Sequence, residues 1–287
     1  MSTTNGSYYI PHGSHWPIIG SIGLFVMLQG FGNYLNGSGF GSTVMLAGFL
    51  ILLVMVFGWF RTVINESEAG IYNMQVDTSF RWGMGWFIFS EVMFFAAFFG
   101  ALYYARVFSV PWLGGADPST SELLWNNWEA AWPTNGPGEL GGEFTLLDPW
   151  KIPALNTLLL LSSGVTITFA HWALKKQQRG ALVLWMLATV ALGATFLGFQ
   201  VYEYGQAYSD HHNLTLESGI YGSTFFMLTG FHGMHVTLGT IMLIVITLRC
   251  MKGHFTPERH FGFEAVAWYW HFVDVVWLGL FIFVYLL

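Results

Sequence analysis

Seven long apolar segments alternate with shorter polar stretches along the chain. They cover about residues 17–35, 42–60, 82–107, 152–174, 181–204, 220–248 and 264–287. An α-helix rises about 1.5 Å per residue, so some 20 apolar residues cross a hydrocarbon core of about 30 Å. The pattern therefore predicts an all-α membrane protein with seven transmembrane helices in a single integral-membrane domain, residues 1–287.

The composition supports this prediction. Of the 287 residues, 54% are hydrophobic and only 9% are charged, whereas soluble domains average about a quarter charged residues. The single cysteine, Cys250, excludes an intrachain disulfide and a cysteine-based metal cluster. The N-terminus lacks a basic region ahead of its first apolar segment, so we expect no cleaved signal peptide.

The basic residues predict the orientation of the chain. Eight of the ten Lys and Arg residues lie in or beside the loops between segments 2 and 3, 4 and 5, and 6 and 7. Only Arg106 and Lys151 fall on the other side, together with the acidic stretch 108–150. The positive-inside rule then places the N-terminus in the cytoplasm and the C-terminus outside, as an odd number of spans requires.

The stretch 108–150 is too long for a simple connection between two helices. It is rich in Pro, Gly and Trp, and its tryptophans include Trp112, Trp125, Trp128 and Trp132. Tryptophan is enriched at membrane interfaces. The stretch therefore predicts either an interfacial lid or contact surface on the outer face, or a short amphipathic helix resting on the membrane.

Glu91 is the only acidic or basic residue between Arg81 and Arg106. Counted at about 1.5 Å per residue, it lies some 15 Å into the third segment, close to the bilayer midplane. A charge at that depth costs at least a few kcal/mol, so we expect the acid to be neutral, paired or facing protein. Two roles stay open: a structural hydrogen bond between helices, or proton handling.

Several other ionisable residues lie within the apolar segments. His232 and His235, three residues apart, share one face of a helix. A metal or haem would need more ligands than these two, so a hydrogen bond to Glu91 is their favoured use. His271 and Asp274 have the same spacing and predict a local pair, and Glu264 suits the start of a helix. The remaining ionisable residues of this kind are His171 and Glu203.

Basic and aromatic residues cluster at the cytoplasmic ends of two segments. Trp59 and Arg61 end the second, while Arg249, Lys252 and His254 end the sixth. Such groups suit the anionic head groups of phospholipids. Ordinary positive-inside topology explains the same charges without a bound lipid.

Four stretches together resemble one family. They read SEVMFFAAFF, NTLLLLSSGVTITFAHWAL, GIYGSTFFMLTGFHGMHVTLGT and HFGFEAVAWYWHFVDVVWL. They are similar to subunit III of cytochrome c oxidase, a haem-copper respiratory oxidase, and the likeness runs from about Trp59 to the C-terminus, excluding most of 108–150.

The resemblance implies a specific arrangement of the helices. Two helices within residues 1–60 and a five-helix bundle within 81–287 would flank a V-shaped, lipid-filled cleft, with 108–150 as a periplasmic insertion. It also implies that this chain has no catalytic residue and no metal. Haem and copper would belong to partner subunits I and II.

The resemblance also implies roles for individual residues. Glu91 matches a buried carboxyl that lies near the histidine matching His235. Residues near the lipid head groups or the cleft wall would be Trp59, Arg61, Glu66, His232, Arg249, Lys252 and His254. The chain departs from the animal pattern at Asn65, where a second basic residue is common, and this weakens one head-group contact.

The function that follows is that of a non-catalytic core subunit of a proton-pumping cytochrome c oxidase. We expect it to stabilise subunit I, bind phospholipid and aid oxygen access and proton uptake. Its partners would be subunits I and II, phospholipid and, through the complex, cytochrome c, with no nucleic acid. The long 108–150 stretch and the N-terminal region suggest a bacterial inner-membrane protein.

Two alternatives have a different chemistry. One is a haem-binding membrane reductase that uses His171, His232, His235 and His271. The other is a proton-coupled transporter with Glu91 as its carrier carboxyl, although no inverted repeat is obvious in the sequence.

Overall fold

The computed structural model describes residues 13–126 and 128–287, and this part of the chain folds into helices without a strand. Within these described residues, seven helical runs are long and apolar enough to cross a membrane, which confirms the predicted fold class. The α-helices are α1 Trp16–Leu35, α2 Gly41–Glu68, α3 Met74–Tyr104, α4 Pro118–Leu123, α5 Ile152–Lys175, α6 Arg179–Ala207, α7 Gly219–Lys252 and α8 Phe261–Leu280. Short π-helical segments cover Ala105–Ser109, Trp112–Ala116 and Phe281–Leu286.

Two helical runs extend well beyond their apolar segments. Helix α2 continues to Glu68 and α3 begins at Met74, although the hydropathy pattern predicts boundaries near residues 60 and 82. Hydropathy marks the part of a helix inside the hydrocarbon, whereas backbone hydrogen bonds carry the helix further into the polar region. The run that starts with α3 continues through two π-helical segments to Ala116. Gly114 and Gly115 have non-helical backbone angles and interrupt its end.

The chain forms two compact units, of which the first ends at Phe80. Within it, α1 and α2 approach so closely that their glycines face backbone atoms. A Cβ atom at Gly30 would lie 2.1 Å from the Met45 backbone nitrogen, and one at Gly48 would lie 2.3 Å from that of Met27. Small residues allow this close approach. In lipid, the hydrophobic effect does not drive helices together, so van der Waals contacts between the closely packed helices stabilise the pair.

The second unit, Arg81–Leu287, contains a core centred on Trp270 of α8. The indole Nε1 donates a hydrogen bond of 2.8 Å to the Ser163 hydroxyl on α5. Cβ atoms at Gly193 of α6 and Gly239 of α7 would lie 2.7 and 2.9 Å from its ring. The tryptophan of α8 therefore contacts three other helices. Its ring fills the space left by the glycines of α6 and α7, and its N–H is hydrogen-bonded to α5.

The stretch 108–150 packs on its own unit. The Phe144 ring stacks on the Tyr221 ring at the start of α7, with a centroid distance of 5.7 Å. The Thr145 amide donates a hydrogen bond of 2.8 Å to the His212 carbonyl. At the start of α4, hydrogen bonds from the Thr120 hydroxyl and then from Trp112 lower the pKa of Asp117. In the part that the structure describes, α4, with six residues, is the one α-helix of this stretch.

The Trp270 core generates a stability prediction. We expect Gly239→Leu to destabilise the second unit by about 1–3 kcal/mol, because the added side chain must displace the indole ring. The matched control is Gly198→Leu on α6, where a Cβ atom meets nothing within 4 Å. The measurement is the thermal unfolding midpoint of the purified complex that contains the chain. Equal midpoints for the two variants would contradict this description of the core.

Candidate functional site

The Glu91 carboxyl on α3 meets the His235 imidazole on α7. Glu91 Oε2 lies 2.8 Å from His235 Nε2. The side chains are 22% and 5% exposed, respectively. The structure thus brings together the two residues that the sequence singled out, from helices 144 positions apart in the chain.

The other ring nitrogen determines where protons can sit. His235 Nδ1 lies 2.6 Å from the Phe231 carbonyl oxygen, one helical turn earlier. A carbonyl can only accept, so Nδ1 carries a hydrogen and donates it. A hydrogen bond between Nε2 and the carboxyl then requires one proton between them, held either by a carboxylic acid or by an imidazolium. In either form, the pair holds one proton.

Aromatic rings surround this pair. The Phe95 and Phe94 rings lie 5.0 and 5.9 Å from the imidazole, measured between centroids. The Tyr269 ring stacks parallel to the imidazole at 6.4 Å. A hydrogen bond in such apolar surroundings is strong, and a polar group left unpaired there is costly. The arrangement can hold a proton and pass it between oxygen and nitrogen with few competing partners.

The second histidine of the FHGMH stretch occupies a different environment. His232 is 1% exposed, and its ring lies 5.3 and 5.9 Å from those of Trp277 and Phe196. Neither ring nitrogen has a hydrogen-bond partner among the described residues. Core aromatics enclose the side chain, and a role of His232 near lipid head groups stays a prediction.

His271 and Asp274 form the local pair that their spacing predicts. Nδ1 of the histidine lies 3.5 Å from Oδ2 of the aspartate. Gly164 on α5 makes room for this carboxylate, because a Cβ there would lie 2.3 Å from Oδ2. The pair thus sits where two helices pack closely.

The basic residues of α7 lie together at its C-terminal end. The helix ends at Gly253, whose φ is +78°, and the Arg179 guanidinium donates a hydrogen bond to the Met251 carbonyl.

Basic side chains and an aromatic ring lie together at this end of α7. The Arg249 guanidinium lies over the Phe255 ring at 4.4 Å. Lys252 is exposed and His254 is half-buried. This end of the second unit therefore presents positive charge beside aromatic surface.

The lipid-binding candidates of the first unit lie on α2. Trp59 and Arg61 are exposed, and Glu66 accepts a hydrogen bond of 2.5 Å from the Tyr72 hydroxyl. Glu66 therefore has a partner within its own unit.

Two contacts of the second unit were not predicted from the sequence. The Tyr285 hydroxyl donates a hydrogen bond of 2.6 Å to Glu203 Oε1, which pairs a buried acid of α6 with the C-terminal segment. Glu264 forms an ion pair with Arg81 and also lies beside His260. His260 and Glu264 are four residues apart in HFGFE, and this spacing could have predicted the contact between them.

Comparison with known proteins decides the family. A sequence model described as cytochrome c oxidase subunit III matches residues 6–287. The chain belongs to the cytochrome c oxidase subunit III family. The match includes the first two segments, to which the resemblance seen in the sequence did not extend.

Similar proteins cover almost the whole chain. Those of Marchantia polymorpha and Triticum aestivum, both named cytochrome c oxidase subunit 3, are each 42% identical to it over 97% of this chain and 95% and 96% of theirs. The Equus caballus protein of the same name is 39% identical over 99% of this chain and 98% of its own. The chain is therefore a multi-pass membrane subunit of a respiratory oxidase, an oxidoreductase complex with other subunits.

Membership of the subunit III family argues against both alternative functions. The geometry adds a reason in the case of the reductase. Both ring nitrogens of His235 are engaged, one by Phe231 and the other by Glu91. Binding a haem through this residue would therefore leave the acid without its partner.

The Glu91–His235 contact predicts a coupled effect on stability. His235→Phe should cost about 1–3 kcal/mol, because the carboxyl loses its partner in an apolar site. Glu91→Gln should cost less, since the amide can donate to Nε2. In the double variant Glu91→Leu/His235→Phe, neither member of the pair is left unpaired, so its cost should be smaller than the summed costs of Glu91→Leu and His235→Phe. Thermal unfolding of the complex measures all four variants, and strict additivity of the two single costs would show that the two side chains do not interact.

Proposed function

We propose that this chain is the non-catalytic core subunit III of a proton-pumping cytochrome c oxidase, with haem and copper held by partner subunits I and II. The observation that carries the proposal is the family match over residues 6–287. In this role the chain binds subunit I, holds phospholipid and supports the proton and oxygen supply of the complex. Cytochrome c delivers electrons to the complex.

The stabilising role is supported by the rigidity of the second unit. Its Trp270 core joins four helices, and its acids Glu91 and Glu203 are hydrogen-bonded within it. A large apolar surface on these helices is left for lipid and for other subunits, since Val201, Val275 and Leu184 are well exposed. A rigid body of this kind limits local opening of the subunit on which it packs.

Removal of the chain tests this role. We expect the haem absorption spectrum of the depleted complex to stay largely intact, because the chain provides no haem ligand in this proposal. Turnover should inactivate the depleted enzyme faster, since its catalytic subunit has lost its support. The measurement is activity against the number of turnovers, and adding the chain back is the control. Equal durability with and without the chain would refute the stabilising role.

Lipid binding is proposed for the C-terminal end of α7, where Arg249, Lys252 and His254 lie. A basic residue near an anionic membrane surface contributes about 1 kcal/mol to lipid attraction. In the first unit we propose that exposed Trp59 and Arg61 also contact lipid. The V-shaped cleft, the lipid filling it and the role of Glu66 in its wall stay predictions.

Lys252→Ala should lower the affinity of the complex for anionic phospholipid about fivefold, which corresponds to that contribution of about 1 kcal/mol. Lys252→Arg should retain the affinity because the charge remains. The matched control is Lys151→Ala, since Lys151 is exposed and lies 3.6 Å from Asp148. Titration of the delipidated complex with phosphatidylglycerol, read by mass spectrometry, measures the change. Lys151→Ala should bind the lipid as the parent does, and the proposal fails if Lys252→Ala does so as well.

We propose the orientation and the route of protons from the charge pattern. The ends of α2, α5 and α7 would face the cytoplasm of a bacterial inner membrane, with the C-terminus in the periplasm. Carboxylates and histidines at that surface would assist proton delivery to the uptake path of subunit I. Bound lipid would offer oxygen an apolar phase through which to reach the reaction site.

A further inference from the structure

The His271 imidazole is exposed although it lies deep in a membrane-spanning run. Its side chain is 46% exposed, and the residue lies ten positions beyond Phe261, where α8 begins. At about 1.5 Å per residue this is about 15 Å into the helix, near the bilayer midplane. A polar side chain that faces hydrocarbon at this depth is costly. The exposed part of the imidazole therefore requires a partner outside this chain.

The exposed residues of α8 form a single stripe. Trp268, His271 and Val275 are the three exposed residues of this helix, and they lie three and four positions apart. This alternation is typical of the seam along which one helix packs on another at a shallow angle. The stripe therefore indicates that α8 packs against a helix rather than against lipid.

The neighbouring helix presents a matching stripe. On α5, Leu161, Val165 and Thr168 have the same spacing of four and three residues. Together with His271 and Val275 they line a groove of about 420 Å³ between the two helices. We infer that a transmembrane helix of another oxidase subunit lies along this groove and donates a hydrogen bond to His271. The inference rests on the proposed stabilising role and names the surface that provides it.

The polar atoms of the groove determine what the partner helix must offer. Nδ1 of His271 lies 3.5 Å from the Asp274 carboxylate, so the hydrogen of the neutral ring is held on that nitrogen. Nε2, on the opposite edge of the ring, then carries the lone pair and accepts. Thr168 does not supply the donor, because its hydroxyl donates to the Gly164 carbonyl. The partner helix therefore presents an O–H or N–H group, such as that of a serine, threonine or asparagine.

A lipid does not meet this requirement. An acyl chain can fill the groove, but it has no donor for the imidazole and leaves it unpaired. The Oδ1 atom of Asp274 also lacks a hydrogen-bond partner among the described residues, so the chain alone does not satisfy the polar atoms here. A polar residue in a helix seam selects the partner and its register. His271 thus makes the contact specific for a helix with a donor at its level.

The first test is photocrosslinking in the intact oxidase complex, with p-benzoylphenylalanine in place of Val275. Val275 is 67% exposed and belongs to the stripe. We expect an adduct with a transmembrane segment of another oxidase subunit, identified by mass spectrometry of the crosslinked peptide. The matched control carries the same group at Val201 on α6, which is 73% exposed and should not reach that segment. An adduct with a second copy of this chain, or with lipid alone, would overturn the inference.

The second test concerns the hydrogen bond itself. His271→Leu should make the chain dissociate from the complex in detergent about threefold faster, the size of one hydrogen bond between membrane helices. His271→Gln should dissociate as the parent does, since its amide oxygen still accepts. The control His211→Ala removes an exposed imidazole outside the groove and should also behave as the parent. Equal dissociation of His271→Leu and the parent would overturn the assigned hydrogen bond.

A change in the partner completes the test if His271→Leu prevents assembly. Replacing the donor in the crosslinked segment by alanine should speed dissociation to the same extent, and an unchanged rate would count against the inference. These results are independent of the durability measurement, in which the whole chain is removed. If Val275 meets only lipid while the depleted enzyme still inactivates faster, the stabilising role holds and another surface provides it.

Discussion

A polar group inside a membrane is costly unless it finds a hydrogen-bond partner within the protein, and three side-chain contacts of the second unit answer this constraint. Glu91 is paired with His235, Glu203 with Tyr285, and the Trp270 indole with Ser163. Each contact joins two different elements, so the need to satisfy a buried group also fixes how helices pack. The helices are positioned by a few obligatory polar contacts and by the aromatic and glycine surfaces around them.

The same constraint connects the fold with its proposed role. A carboxyl and an imidazole that share one proton in apolar surroundings require a rigid frame, because a small displacement would leave both unpaired. The frame is provided by close packing, as where Gly193 and Gly239 admit the Trp270 ring. In the proposed role, a subunit built in this way braces a neighbouring catalytic subunit. The basic end of α7 lies outside this apolar centre, where Lys252 is exposed.

Much of the fold could be predicted from the sequence, because hydropathy responds to the membrane directly. Seven spans follow from it, whereas the ends of α2 and α3 do not, since a helix continues into the polar region without an apolar signal.

The site around Glu91 could also be predicted only in part. Glu91 stands out by its depth, but spacing alone does not choose between His232 and His235, which share a helix face. The family resemblance favours His235, and the packing of α3 against α7 pairs that residue with Glu91. That packing turns His235 to Glu91 and His232 to Trp277. The contact of His260 with Glu264 has a signal in their four-residue spacing, whereas its contact with His171, 89 residues away, has none in the sequence.

The central claim is that Glu91 and His235 hold one proton between them. Infrared spectroscopy of the intact complex with isotope-labelled glutamate tests it most directly, because the carbonyl stretching band of a carboxyl group responds to its protonation and hydrogen bonding. The Glu91 band is identified by its loss in Glu91→Gln. The same band should shift in His235→Phe and should not shift in His211→Ala. A Glu91 band that is identical with and without the His235 imidazole would contradict it.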